Sequence, residues 1–120
     1  MTTFKLLCDR CGLSQREAAA YLNSRLDTVK AWWQGRRNAP HAVLTELRVL
    51  NRRQRAAATD FVAGLDPAAL ADGAEALELA LGADDVACRK NGWPCVGAEA
   101  AVIGMVAADL DVMVVVTIRD

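Results

Sequence analysis

The chain has 120 residues, 53% of them apolar and 24% charged, which suits one ordinary domain or two very small ones and excludes a disordered chain. Its longest apolar runs, Val102 to Val106 and Val112 to Val116, fall far short of the ~20 residues of a membrane span; Met1 to Leu7 has no secretory pattern, so no membrane association and a cytoplasmic location are expected. The net charge of −1 conceals two opposite halves, since residues 1–58 hold 11 Lys and Arg against four acids and residues 59–120 hold three against 11, the polarity of a basic half that meets a polyanion and an acidic half that does not.

Phe4 to Cys11 reads as a first helix. Leu13-Ser14-Gln15 then supplies an N-cap, and Ala18, Ala19 and Leu22 recur at helical spacing, which predicts a short helix from about Gln15 to Leu22. Ser24-Arg25-Leu26-Asp27 fits a capping box, with Asp27 reaching back, so a further helix is expected over Arg25 to Gln34 and is stopped by Gly35. Only Asn23 and Ser24 remain as linker, a connection short enough to force a steep helix-turn-helix crossing. Pro40 opens another helix with Val43, Leu44, Leu47 and Leu50 as its apolar stripe, continuing past Arg55 towards Phe61.

Leu65-Asp66-Pro67 breaks that pattern. The boundary is expected between Thr59 and Pro67, giving a helical domain over residues 1–62 and a second domain over residues 66–120. Ala76 to Leu81 alternates as a strand does, whereas Val112 to Ile118 is almost continuously apolar and β-branched, as a strand covered on both faces would be. Between them lie two helical stretches, Asp84 to Lys90 and Gly97 to Leu110, separated by Asn91-Gly92-Trp93-Pro94. So long a connection suits a parallel crossover. The second half reads as βααβ and the whole as α+β. A two-stranded unit of this size cannot bury enough surface alone, so it is expected to pair with a second copy.

Within Arg25 to Gln34, Val29 and Trp32 face inward with Leu22 and with Leu26 or Val43, leaving Arg25, Asp27, Thr28, Lys30 and Ala31 outward. A helix enters the major groove when its exposed face lacks bulky apolar groups and is flanked by cations. Arg25 and Lys30 can reach guanine edges or phosphates, and Thr28 a thymine methyl. Arg36-Arg37-Asn38 would lie over a phosphate backbone; Ser14 and Gln15 would present helix N-terminal N–H groups to another phosphate. Arg16 and Gln34 complete the expected DNA-facing set. Arg48, Arg52, Arg53 and Arg55 either extend the phosphate track or form a solvated helix face.

Leu13-Ser14-Gln15, Ala19, Leu22, Thr28-Val29, Trp32, Gly35-Arg36-Arg37 and Pro40 together resemble the Cro/repressor (XRE-like) helix-turn-helix family over about half of the chain. The resemblance implies that Gln15 touches phosphate or an outer base, that Ala19 lies where helices cross, that Gly35 ends the recognition helix, and that Leu26, Asp27 and Ala31 contact bases. Three positions depart from the family pattern: Asn23 stands where glycine is usual, Ser24 replaces an apolar turn residue and Trp33 a common acidic one. The layout is also similar to small two-part regulators of the YdiL and anti-CRISPR-associated type. The expected function is a sequence-specific transcription regulator, a homodimeric repressor that binds an inverted repeat in double-stranded DNA through Arg25 to Gln34. The alternative is an antitoxin-like interaction module whose acidic half binds a second protein, with DNA contact secondary.

Other signals are weaker. Cys8 and Cys11 form a C-x-x-C, but they fall within one short helix, and Cys88 and Cys95 are spaced more widely than a zinc-ligand pair, so buried free thiols are expected, with no metal or cofactor. His41, the sole histidine, has no nucleophile marked near it, and no catalytic constellation points to an enzyme. Asp84-Asp85 reads as a helix N-terminus. Of the tryptophans, Trp32 is expected in the core, Trp33 against the helix near Pro40, and Trp93 in the Asn91 to Pro94 turn.

Overall fold

A computed structural model describes residues 1–71 and 75–120. The fold is α+β, with six α-helices and one two-stranded parallel sheet among the described residues. The chain divides into two compact units, Met1–Arg53 and Gln54–Asp120. The division falls inside a helix, ahead of the Thr59 to Pro67 stretch where composition changes, because packing partners rather than composition decide which unit a helical turn joins.

The first unit holds α1 (Thr3–Cys11), α2 (Gln15–Tyr21), α3 (Leu26–Gln34) and the start of α4 (His41–Ala63). Thr2 caps α1 by accepting the Lys5 N–H at 3.1 Å, and Gly12 ends it in the left-handed region at φ 76, where a side chain would be strained. Phe4, Cys8, Leu13, Ala18, Val29, Trp32, Leu47 and Leu50 are buried together. Phe4 meets Trp32 edge-on with ring centres 5.4 Å apart, the favoured aromatic geometry. The Cys11 thiol donates to the Leu47 carbonyl at 3.4 Å, tying α1 to α4.

Trp33 packs on α1. Its ring lies 6.3 Å from that of Phe4, Lys5 Nζ sits 5.4 Å over it, and the Thr2 hydroxyl donates to its carbonyl at 3.0 Å. One residue beyond Trp32, it is turned about 100° around the helix axis, towards α1.

In the second unit, the end of α4 is followed by a 3₁₀ turn (Pro67–Leu70), β1 (Leu77–Gly82), α5 (Asp85–Lys90), α6 (Val96–Asp109) and β2 (Val114–Arg119). The strands pair in parallel, Leu77 opposite Val114 through Gly82 opposite Arg119. Asp84 caps α5 through the Ala87 N–H at 2.8 Å, and Asp85 takes the Val96 N–H at the start of α6 at 2.9 Å. The two adjacent acids thus serve two different helix starts. Trp93 is buried behind the turn at Gly92. Ala58, Leu79 and Val106 form the core, with Val62, Leu77, Val102, Ile103 and Val114 around it.

β2 is not covered on both faces. Val115, Val116 and Ile118 are 42%, 48% and 65% exposed, because α5 and α6 pack on β1 and leave β2 as an edge. At the other end of the register, Glu99 is buried. One carboxylate oxygen accepts the Gly82 N–H at 2.8 Å; the other accepts from Arg119 Nη2 at 2.8 Å and Asn91 Nδ2 at 3.4 Å. Arg119 also donates to the Ala80 and Ala87 carbonyls. Gly82 makes room for this: a Cβ there would stand 2.6 Å from Cys88 Sγ and 3.1 Å from the Arg119 guanidinium.

Candidate nucleic-acid interface

The first unit carries ten Lys and Arg against four acids, and α2 and α3 bring several of them to its surface. Ser14 caps α2 in a full capping box: its hydroxyl accepts the Glu17 N–H at 3.2 Å, and the Glu17 carboxylate accepts the Ser14 N–H at 2.9 Å. Gln15 follows, half-buried at the first helical position, and Arg16 is exposed. The Ser14 side chain is thereby committed to the Glu17 N–H, so of the first-turn N–H groups those of Gln15 and Arg16 are the ones outside the capping box.

The turn between α2 and α3 differs from the expected capping box. Asn23 adopts φ 51, the left-handed conformation in which asparagine is the best-tolerated residue after glycine, so it fits the place where the resemblance calls for glycine. Ser24 sends its N–H back to Ala19 O at 2.9 Å and its hydroxyl to Leu22 O at 3.3 Å. With that hydroxyl turned towards α2, Arg25 becomes the N-cap of α3 without a side-chain cap bond, and the helix begins at Leu26.

Along α3, Val29 and Trp32 are buried as expected. Arg25, Asp27 and Gln34 are exposed; Leu26, Thr28 and Lys30 are half-buried with part of each side chain at the surface. Ala31 departs from the expectation, since it is only 6% exposed. Its single methyl does not rise above longer neighbours, and the chain folds back over that turn, with Arg36 and Arg37 N–H groups both donating to the Ala31 carbonyl. It offers no surface for a base contact. Gly35 ends α3 at φ 81, turning Arg36 and Arg37 into solvent. Arg36 Nε donates to the Gln34 side-chain oxygen at 3.0 Å, which holds one cation beside the end of the helix.

Of the second arginine cluster, Arg48 is half-buried and Arg52, Arg53 and Arg55 are exposed. Arg53 hydrogen-bonds the Tyr21 hydroxyl, and burial, opposed by that arginine, raises the Tyr21 pKa. Arg53 therefore joins α2 to α4. Arg55 belongs to the second unit.

The thiols are poor nucleophiles. Burial, with the neighbouring Cys11 and Asp9 adding to it, pushes Cys8 up to about 12, and burial pushes Cys11 up to about 11 against the pull of Arg10, so both are protonated at neutral pH. Cys88 is raised by burial and by the Glu99 carboxylate beside it. The Glu99–Arg119 pair was not anticipated from sequence; its members stand 20 positions apart with no local pattern joining them.

Among the described residues no helix is long and apolar enough to cross a membrane. No protein family, curated protein or solved structure matches this chain.

Proposed function

We propose that the chain is a sequence-specific DNA-binding transcription regulator, a homodimeric repressor in which α2 and α3 act as a helix-turn-helix and α3 enters the major groove. The observation that carries this reading is the division of α3 into two faces: Val29 and Trp32 are sealed in the core while Arg25, Asp27 and Gln34 are exposed, with Arg36 and Arg37 immediately beyond. Such a face can hydrogen-bond base edges while cations and the α2 N-terminus hold flanking phosphates. Arg25, Asp27, Thr28, Lys30 and Gln34 read bases, and Ser14, Gln15, Arg16, Arg36 and Arg37 fix register on the backbone. Two copies would read an inverted repeat with half-sites about one helical turn, ~34 Å, apart.

Selection of bound sequences from random duplex DNA tests this. The unaltered protein should enrich a two-fold-symmetric site. Arg25→Ala should change the preferred base at one position per half-site, costing ~1–3 kcal/mol of discrimination, whereas Arg36→Ala should weaken all sequences alike. Failure to enrich any sequence would refute the proposal.

A further inference from the structure

The two edges of the β1–β2 sheet are treated differently. In a parallel ladder alternate residues point their backbone groups towards the neighbouring strand. Leu77 N–H bonds Met113 O and Ala83 N–H bonds Arg119 O, so Met113, Val115, Thr117 and Arg119 turn towards β1. Val114, Val116 and Ile118 turn their N–H and C=O groups away from it. On β1 the corresponding outward groups include the Ala80 carbonyl and the Gly82 N–H, and these are occupied by Arg119 and Glu99. The outer edge of β1 is thus partly closed by side chains, and the outer edge of β2 is open.

The open edge also lacks the usual protections. Residues 112–118 contain no charge, proline or glycine, and Met113, Val115, Val116 and Ile118 are all more than 40% exposed. Edges are normally blunted by such residues, and a bare one is a template for another strand. A two-stranded sheet is itself marginal.

We infer that this edge of β2 pairs antiparallel with the same edge of a second copy, centred on Val115, giving a four-stranded sheet in the order β1, β2, β2, β1. The inference rests on the homodimer reading above and names the surface that makes it. Antiparallel pairing is the more stable per residue and closes the pair about a two-fold axis; charge does not set the direction, because Arg119 is held by Glu99 and Asp120 follows it. A two-fold axis perpendicular to the sheet requires a residue opposite its own copy, and centring on Val115 places Val114 opposite Val116, Val112 opposite Ile118 and Met113 opposite Thr117. The pairs Val114 with Val116 and Val112 with Ile118 then exchange the outward hydrogen bonds, leaving Val115 a close, non-hydrogen-bonded self-pair.

The test uses the full chain, with light scattering on a sizing column and cross-linking under oxidised glutathione. Val116→Pro removes an N–H that points away from β1, so the β1–β2 ladder survives; it should run as a monomer with unchanged circular dichroism. Val115→Cys should form a covalent dimer, since such self-pairs lie ~4.5 Å apart at Cα, within disulfide range, while the four native thiols are buried. A dimeric parent chain whose Val116→Pro variant stays dimeric, or whose Val115→Cys variant does not cross-link, overturns the β2 assignment and leaves the homodimer reading standing. A monomeric parent chain overturns both.

Discussion

Both oxygens of the Glu99 carboxylate accept hydrogen bonds from other parts of the second unit: β1 through Gly82, the α5–α6 turn through Asn91, and β2 through Arg119. Burial opposes its ionisation, and the bonds from Arg119, Gly82 and Asn91, with the arginine charge, outweigh that opposition, so its pKa lies below the ordinary glutamate value. A carboxyl whose folded pKa is depressed contributes stability that is complete above the unfolded value, ~4.3, and is lost as pH falls through the folded one. Glu99→Gln keeps the size but, whichever way the amide turns, sets an NH₂ against a donor, either the Gly82 N–H or Arg119 with Asn91. The variant should melt several degrees below the parent at pH 7, with the gap closing in more acidic solution. Thermal melts at pH 7, 5 and 3 check this; parallel curves would show that the charge is not what matters.

At the scale of elements, the two serines near α2 and α3 make a paired comparison. Ser14 caps α2 reciprocally with Glu17, and Ser24 caps nothing, so Ser14→Ala should cost about 1 kcal/mol and Ser24→Ala distinctly less, as read from urea midpoints. The pattern S-x-x-D at Ser24 read as a capping box, whereas Ser14 read only as an N-cap. What separated them was the left-handed Asn23, which rotates Ser24 back onto α2, and no spacing rule reports a dihedral angle. Periodicity did place α1 to α6 and both strands to within a residue or two, because apolar residues at helical or alternating spacing must share a buried face. Exposure was harder to read. Ala31 and Trp33 depend on which neighbour lies alongside α3, and the uninterrupted valines of β2 suggested burial because composition cannot distinguish a strand covered by helices from one left at an edge. Of the expected interface, the exposure of Arg25, Asp27, Gln34, Arg36 and Arg37 was legible from the inward positions of Val29 and Trp32. The Glu99–Arg119 link was not, since only the parallel register brings its ends together.

For the molecule as a whole, a net charge of −1 would suggest indifference to polyanions, yet the first unit alone is strongly basic. Binding to duplex DNA should therefore weaken steeply with salt, log K falling by ~0.9 per log unit of salt for each phosphate neutralised. Arg36→Ala should reduce that slope by about one such step; an unchanged slope in a titration from 50 to 200 mM salt would remove Arg36 from the phosphate contacts. The guanidinium that crosses Gly82 to reach the far side of β1 has a consequence for assembly. With one border partly closed by Arg119 and Glu99, the pairing inferred above would use the open border, so two copies would leave little place for a third to join. A bulkier residue at position 82 would displace that crossing and reopen the second border, turning a self-terminating pair into a chain able to polymerise.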